Sequence, residues 1–254
     1  MSTGNTCLQL DVGNSGAKWR LVDAGQVVRR GRYLPEDDVA RESLLHCADF
    51  VQHILVSSVA APDAEQALAE LLVDRWGIEP WFARTPARTG DLVNSYAEPQ
   101  RMGVDRWLAM LGARQRFGGR LCVIDAGSAL TVDLVAASGE HEGGYIIPGP
   151  ALMERALLLD TDRVRFEDTA DYRLEPGTST AEAVRHGIAL AQAGALALVQ
   201  ERTAEDPPTL VFCGGGGEVL MGLLGRDGEW IPDLVFEGLE RLAADKSQAI
   251  QQGG

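Results

Sequence analysis

The sequence predicts an α/β protein built from two related domains, and three observations carry that prediction. The stretch LQLDVGNSGAKWRLVD, Leu8 to Asp23, sets an aspartate and a glycine turn between two short apolar runs, and LCVIDAGSALTVDLV, Leu121 to Val135, does so again. Each copy opens a series of strand and helix patterns, an internal repeat in the order of elements although residue identity ends with the motif. RQRFGGR, Arg114 to Arg120, ends a helical pattern at two glycines just before the second copy, which places the boundary between domains 1–117 and 118–254. No low-complexity linker separates the halves, so they are expected to pack together with a cleft between them.

The elements follow in order. Leu8 to Val12, Lys18 to Asp23 and Gln26 to Tyr33 are separated by Gly and Asn turn residues and read as a meander of antiparallel strands. An amphipathic stretch comes near Arg41 to Phe50, then the strand-like HILVSSV, His53 to Val59. Leucine and alanine recur at helical spacing from Pro62 to Trp76, and Pro62 with Asp63 suits a first helical turn. RWLAMLGARQRF places apolar residues at 107, 108, 110 and 111, one face of a helix. The second half continues with a strand near Glu142 to Ile147 and helices over about Ala151 to Leu159 and Thr180 to Glu201. The strand TLVFC and helices near Glu218 and Leu234 complete it.

Hydrophobic residues make up 45% of the chain, enough for a substantial core and against general disorder. No apolar run reaches the roughly 18 residues of a membrane span, and Met1 to Thr6 lacks the basic-then-apolar pattern of a secretory signal. The expected location is the cytoplasm. Cys7, Cys47, Cys122 and Cys213 are far apart, and three lie in strand-like runs, so they read as reduced structural thiols and not as a metal site. The four histidines show no paired helical spacing and read as surface or packing residues. A formal net charge of -14 argues against nucleic acid as a partner. Any anionic ligand must then meet locally placed positive charge or backbone N–H groups.

An Asp-x-Gly turn at a strand end can supply such groups. Glycine lets a ligand approach the main chain, where successive N–H groups form a nest for phosphate. The carboxylate of Asp11 or Asp125 repels phosphate but can hold a cation, or the water around one, that binds it. Lys18 adds a direct positive charge. One copy alone reads as an ordinary hairpin, since Asn-Ser-Gly and Gly-Ser are common turns. Two copies, each opening a domain, point to two domains gripping the phosphates of one nucleotide.

DVGNSGAK (Asp11 to Lys18), GVDR (Gly103 to Arg106), DAGSALTVD (Asp125 to Asp133) and GGYIIPG (Gly143 to Gly149) stand in the order and approximate spacing of type III pantothenate kinases. PDLVFEGL, Pro232 to Leu239, is also similar to that family, so the resemblance covers nearly the whole chain. It implies two actin-like (ribonuclease H-like) domains with the nucleotide cleft between them. The implied reaction is transfer of the ATP γ-phosphate to pantothenate, giving 4'-phosphopantothenate, the first committed step toward coenzyme A. By the same resemblance, Asp11, Val12, Gly13, Asn14, Ser15, Gly16, Ala17, Lys18 and Ser128 would contact ATP. Tyr96, Gly103, Val104, Asp105, Arg106 and Thr180 would bind pantothenate, and Asp125 would hold a monovalent cation, K+ or NH4+. Mg2+ is expected with ATP. The family's members are homodimers whose pantothenate pocket borrows residues from the partner. GIALAQAGALALV, Gly187 to Val199, would contribute to that interface or be a buried core helix.

Serine stands at 128 where the family usually has threonine, and at 15 where it often does, but serine keeps the hydroxyl. The run Gly214 to Gly217 lies where the superfamily turns near adenosine, with Glu218 in place of the residue expected there. Taken by itself the run reads equally as a strand-to-helix turn. Asp105 alone reads as an N-cap. The resemblance makes it the base for the pantothenate hydroxyl, with Arg106 set to hold the pantothenate carboxylate or offset developing phosphate charge. Two rivals remain: another small-molecule kinase or phosphatase on the same scaffold, and a noncatalytic nucleotide-binding regulatory protein. The joint GVDR and GGYIIPG set argues against the first, and intact Asp11, Lys18, Asp105 and Asp125 argue against the second.

Overall fold

The computed structural model describes residues 6–14, 16–160, 170–225 and 227–252. Its elements are β1 (Cys7–Gly13), β2 (Gly16–Asp23), β3 (Gln26–Tyr33), α1 (Asp38–Leu45), β4 (His53–Ser58), α2 (Pro62–Trp76) and β5 (Trp81–Phe82). Then come β6 (Arg88–Thr89), β7 (Leu92–Val93), α3 (Val104–Arg116), β8 (Leu121–Ala126), β9 (Ala129–Val135), β10 (His141–Pro148) and α4 (Pro150–Asp160). The chain continues through α5 (Thr180–Arg202), β11 (Thr209–Cys213), α6 (Gly217–Leu224), β12 (Glu229–Trp230) and α7 (Leu234–Gln252). Among the described residues no helix is long and apolar enough to cross a membrane.

Two five-stranded sheets have the orders β3-β2-β1-β4-β5 and β10-β9-β8-β11-β12. In each, the three opening strands run antiparallel, and the first of them pairs on its other side, in parallel, with the strand that returns after a helix. A last short strand pairs in parallel at the edge of each sheet. The repeat read from the two Asp-x-Gly motifs is therefore a repeat of topology, the actin-like arrangement. The two cores are separate clusters: Leu8, Leu10, Trp19, Ile54 and Leu72 in one, Ile124, Leu130, Leu196, Phe212 and Leu220 in the other.

Local chemistry sets the helix ends. Pro62 opens α2, whose amide orphans it suits, and Gly77 closes it at φ 68°, a left-handed cap that glycine adopts without strain. The amphipathic stretch expected near 41–50 is helical only as α1. Asp37 caps it, accepting from the amides of Val39 and Ala40. Beyond it, Arg75 Nε donates to the Leu45 carbonyl at 2.7 Å and Nη2 to the Ala48 carbonyl at 3.0 Å. A side chain of α2 thus satisfies carbonyls that the end of α1 leaves without helical partners.

Two compact units result, and neither is one continuous segment. The first comprises Met1–Thr89, Tyr96–Gly112 and Leu234–Gly254, and the second comprises Gly90–Ser95 and Ala113–Asp233. Set beside the expected division at 117/118, the last helix joins the first unit. The reason lies in a buried polar network. Arg20 Nε donates to Gln9 Oε1 at 2.7 Å, its Nη2 meets Glu240 Oε1 at 2.9 Å, and its guanidinium lies 4.7 Å from the Phe236 ring centroid. Arg20 is almost fully buried. A charge removed from water in this way is stable only when paired, and its partner is on α7.

Glycines let α7 approach closer still. A Cβ on Gly238 would collide with the carbonyl oxygen of Leu108, and one on Gly112 would lie 2.5 Å from the carbonyl oxygen of Leu234. Helices α3 and α7 thus meet main chain to main chain. The single apolar face expected for α3 is wider in the structure: Ala109 and Ala113 are buried along with Trp107, Leu108, Met110 and Leu111. This crossing generates a prediction. Gly238→Ala should lower folding stability by about 2–3 kcal/mol, since overpacking against backbone has little room to relax. Gly222→Ala, in α6 with open space around it, should be neutral or more stable by up to about 1 kcal/mol. Denaturant melts of both variants check the pair.

Candidate functional site

In the first unit, β1 lies between β2 and β4, so residues near its carboxyl end are flanked by side chains from both neighbours. Asp11 is in register with Lys18 on β2 and with Ser57 on β4, and residues directly opposite share a face of the sheet. Ser57 Oγ donates to Asp11 Oδ1 at 3.1 Å. Burial pushes the Asp11 carboxyl up to about 6, the nearby Asp105 carboxylate adds to the rise, and Ser57 and Lys18 pull against it. Two carboxylates approach each other here, with one lysine close by.

Asp105 lies in the first turn of α3. The Trp107 amide donates to the Gly103 carbonyl at 3.2 Å, so Gly103 flanks the helix and Asp105 is not its N-cap. Instead, Asp105 Oδ1 accepts from the Arg106 amide at 2.8 Å. A Cβ on Gly103 would lie 2.6 Å from that same oxygen, so a larger residue there would displace the Asp105 carboxylate. Arg106 is buried, and its Nη1 donates to Tyr96 Oη at 3.0 Å with the guanidinium 5.9 Å from the Tyr96 ring centroid. Asp11, Lys18 and Asp105 are therefore brought into one electrostatic neighbourhood, and Arg106 is joined to Tyr96.

Residues of the first turn divide by side. Asn14 and Lys18 are exposed, whereas Val12 and Ala17 pack against the core, so their side chains serve the sheet. Val104 is likewise buried. Gly13 and Gly16 pair across the hairpin, and Ser15 between them lies outside the described residues.

The second unit repeats the hairpin with Gly127 and Ser128 as its loop. Asp125 on β8 is in register with Cys213 on β11. The next residue, Gly214, has φ +78°, and a Cβ there would strike the Asp125 carboxylate. The Gly216 amide then donates to the Ala126 carbonyl at 2.8 Å and leads into α6. The glycine run is thus a strand-to-helix turn that also wraps the end of β8. Gly149 of GGYIIPG donates its amide to the Ser128 carbonyl at 3.0 Å, and a Cβ there would lie 2.6 Å from the Gly127 carbonyl. Above these turns opens a cavity of about 430 Å³, lined by Gly127, Ser128, Gly215, Gly216, Val219 and Leu220. Its size and apolar walls suit a small organic ligand.

Thr180 begins α5, where Ser179 caps the helix by accepting from the Glu182 amide. It lines a separate groove of about 680 Å³ with Leu152, Met153, Leu157, Val184 and Ile188. Sequence reasoning missed Ser57 on Asp11, and it missed a buried pair of Asp133 with His141. Both are contacts between different strands, and no local spacing announces them.

A model of the type III pantothenate kinase family matches residues 7–202. A type III pantothenate kinase from Hahella chejuensis is 39% identical over 241 residues, covering 93% of this chain and 96% of the relative. Another from Ectopseudomonas mendocina is 38% identical over 240 residues, covering 91% and 96%. Among solved structures, a Campylobacter jejuni chain named for the Baf family of transcriptional activators has a TM-score of 0.60 at 21% identity, covering 95% of this chain and 99% of that one. That last likeness is one of fold alone. The chain belongs to the type III pantothenate kinase family.

Proposed function

We propose that the protein transfers the γ-phosphoryl group of ATP to the hydroxyl of pantothenate, giving 4'-phosphopantothenate and ADP for coenzyme A biosynthesis. The observation that carries the site assignment is the meeting of Asp105 with Asp11, beside an arginine that is buried and bonded to Tyr96. Asp105 is the base in this reading. A carboxylate of ordinary pKa, about 3.9, cannot take a proton from an alcohol before reaction begins. Its action comes late: it aligns the hydroxyl and accepts the proton as the O–P bond forms and the bond from phosphorus to the β,γ-bridging oxygen breaks, ADP leaving with the electron pair. The Arg106 amide on Oδ1 holds the carboxylate in orientation. The Arg106 guanidinium, backed by Tyr96, takes the pantothenate carboxylate, with Gly103 and Val104 shaping the same turn.

For ATP, the main chain of the 11–18 turn and Lys18 receive phosphate oxygens, and Ser128 with the 430 Å³ cavity receives the nucleoside. Mg2+ fits the Asp11 and Asp105 surroundings, because burial and then the Asp105 charge raise the Asp11 carboxyl, and a cation offsets both by favouring its charged form. When bound it would neutralise phosphate charge. Asp125, held against the Gly214 turn, offers oxygen ligands to K+ or NH4+. A second copy of the chain covers the α4–α5 groove, where Leu152 and Leu157 are exposed beside Thr180. The cytoplasm is the proposed location.

Three outcomes test this reading. Purified protein should form 4'-phosphopantothenate from ATP with K+ as the monovalent cation and little with Na+, and Asp105→Asn should lower kcat by about 10²- to 10⁴-fold while ATP binding persists. Retention of most turnover would sink the role of Asp105. Sedimentation should give twice the mass of one chain, shifted toward one by Leu157→Glu; a parent protein at single-chain mass contradicts the dimer. The third outcome concerns pH. Because the folded Asp11 carboxyl titrates at about 6 against an ordinary 3.8, its protonated form favours the fold, fully below pH about 4, and that favour is lost as pH rises to about 6. Without ATP or divalent cation, Asp11→Asn should match the parent in melting temperature near pH 4 and exceed it increasingly up to pH 6. An equal difference at both pH values would contradict the assignment.

A further inference from the structure

Ser95, His141 and Asp133 form a continuous hydrogen-bonded chain within the second unit. Ser95 Oγ lies 2.8 Å from His141 Nδ1, and His141 Nε2 lies 2.9 Å from Asp133 Oδ1. His141 is 3% exposed and Asp133 1%. An ionised Asp133 can only accept, which places the imidazole proton on Nε2 and leaves Nδ1 to accept from the Ser95 hydroxyl. The bonds therefore run one way, from serine through imidazole to carboxylate. The same residue types make nucleophilic triads, but there the serine faces Nε2 and the aspartate Nδ1. Here the ring is turned the other way.

Position gives this chain its meaning. Asp133 and His141 sit on the paired strands β9 and β10, where a bulge between His141 and Gly143 breaks the alternation of sides. Ser95 ends the short stretch Gly90–Ser95 that belongs to the second unit. That stretch is fixed along its length: Arg114 pairs with Asp91, and the Val93 amide donates to the Gly139 carbonyl at 3.0 Å. The next residue is Tyr96, in the first unit, bonded to Arg106. Ser95 is the last tethered point before the tyrosine.

We propose that Asp133, His141 and Ser95 are positioning residues for pantothenate affinity: by anchoring the main chain at Ser95 they set where Tyr96, and Arg106 bonded to it, meet the acceptor. This rests on the reading of Tyr96 and Arg106 as pantothenate contacts. None of the three touches a reacting atom, so their loss acts on acceptor binding and leaves the transfer step alone. Ser95 is exposed and small, which makes its substitution safe for folding.

Steady-state kinetics of the full chain test it. Ser95→Ala should raise the pantothenate KM by about 3- to 10-fold, the range of one lost hydrogen bond, with kcat and the ATP KM within about 2-fold of the parent. Ser95→Thr, which keeps the hydroxyl, should restore the parent KM. In a Tyr96→Ala background, Ser95→Ala should add nothing further, because its effect passes through the tyrosine. If Tyr96→Ala raises the pantothenate KM and Ser95→Ala does not, positioning is overturned while the Tyr96 contact stands. If Tyr96→Ala itself has no effect, the contact fails and the positioning proposal falls with it. A parallel loss in kcat and both KM values also overturns the proposal, since it marks general damage.

Discussion

The approach of α7 to α3 is the constraint on which the first unit depends. Gly238 and Gly112 carry no side chain because main-chain atoms of the opposite helix occupy the space a Cβ would need. A contact of that kind allows little sliding, so it fixes α3 along its axis and with it the GVDR turn that presents Asp105. The other face of α7 reaches β1 and β2 through Glu240, Arg20 and Gln9. Those two strands carry Asp11 and Lys18. One helix therefore sets the register between the strand bearing one carboxylate and the helix bearing the other.

That register has an electrostatic price. Burial and Asp105 both disfavour the charged form of Asp11, and Ser57 and Lys18 offset only part of this, so its carboxyl stays well above the ordinary range. A sheet of apolar residues would fold with less strain at this point. In the proposed reading a bound cation relieves that repulsion and carries the phosphates, which the two carboxylates alone would repel. In the same reading Lys18 and the buried Arg106 offer anionic ligands positive charge locally, within a chain whose formal net charge is -14.

Much of the fold was legible in the sequence because its signals are local. The opening hairpins, α2 between Pro62 and Gly77, and the β10 to α4 passage through GGYIIPG all follow from periodicity and turn residues within a few positions. The two-residue strands β5, β6, β7 and β12 have no period to read. The carbonyls beyond α1 are satisfied by Arg75, some thirty positions away, and α7 is tied to the first unit through Arg20. The site divides in the same manner. Asp11, Asp125 and the GVDR residues were visible as motifs, whereas Ser57 and the His141–Asp133 pair are assembled by strand pairing, and Ser95 joins that pair from a segment 46 positions away in sequence, which no spacing encodes.

The division of the chain into interleaved units bears on how it is made. Synthesis proceeds from the amino end, and domains close as their segments emerge. Residues 113–233, with their own sheet and core, are all available before α7 has left the ribosome. The first unit, begun earliest, must wait with Leu108 and its neighbours uncovered until Leu234–Gln252 arrives. The half bearing Asp105 is thus the first to be begun and is complete only when Leu234–Gln252 has arrived.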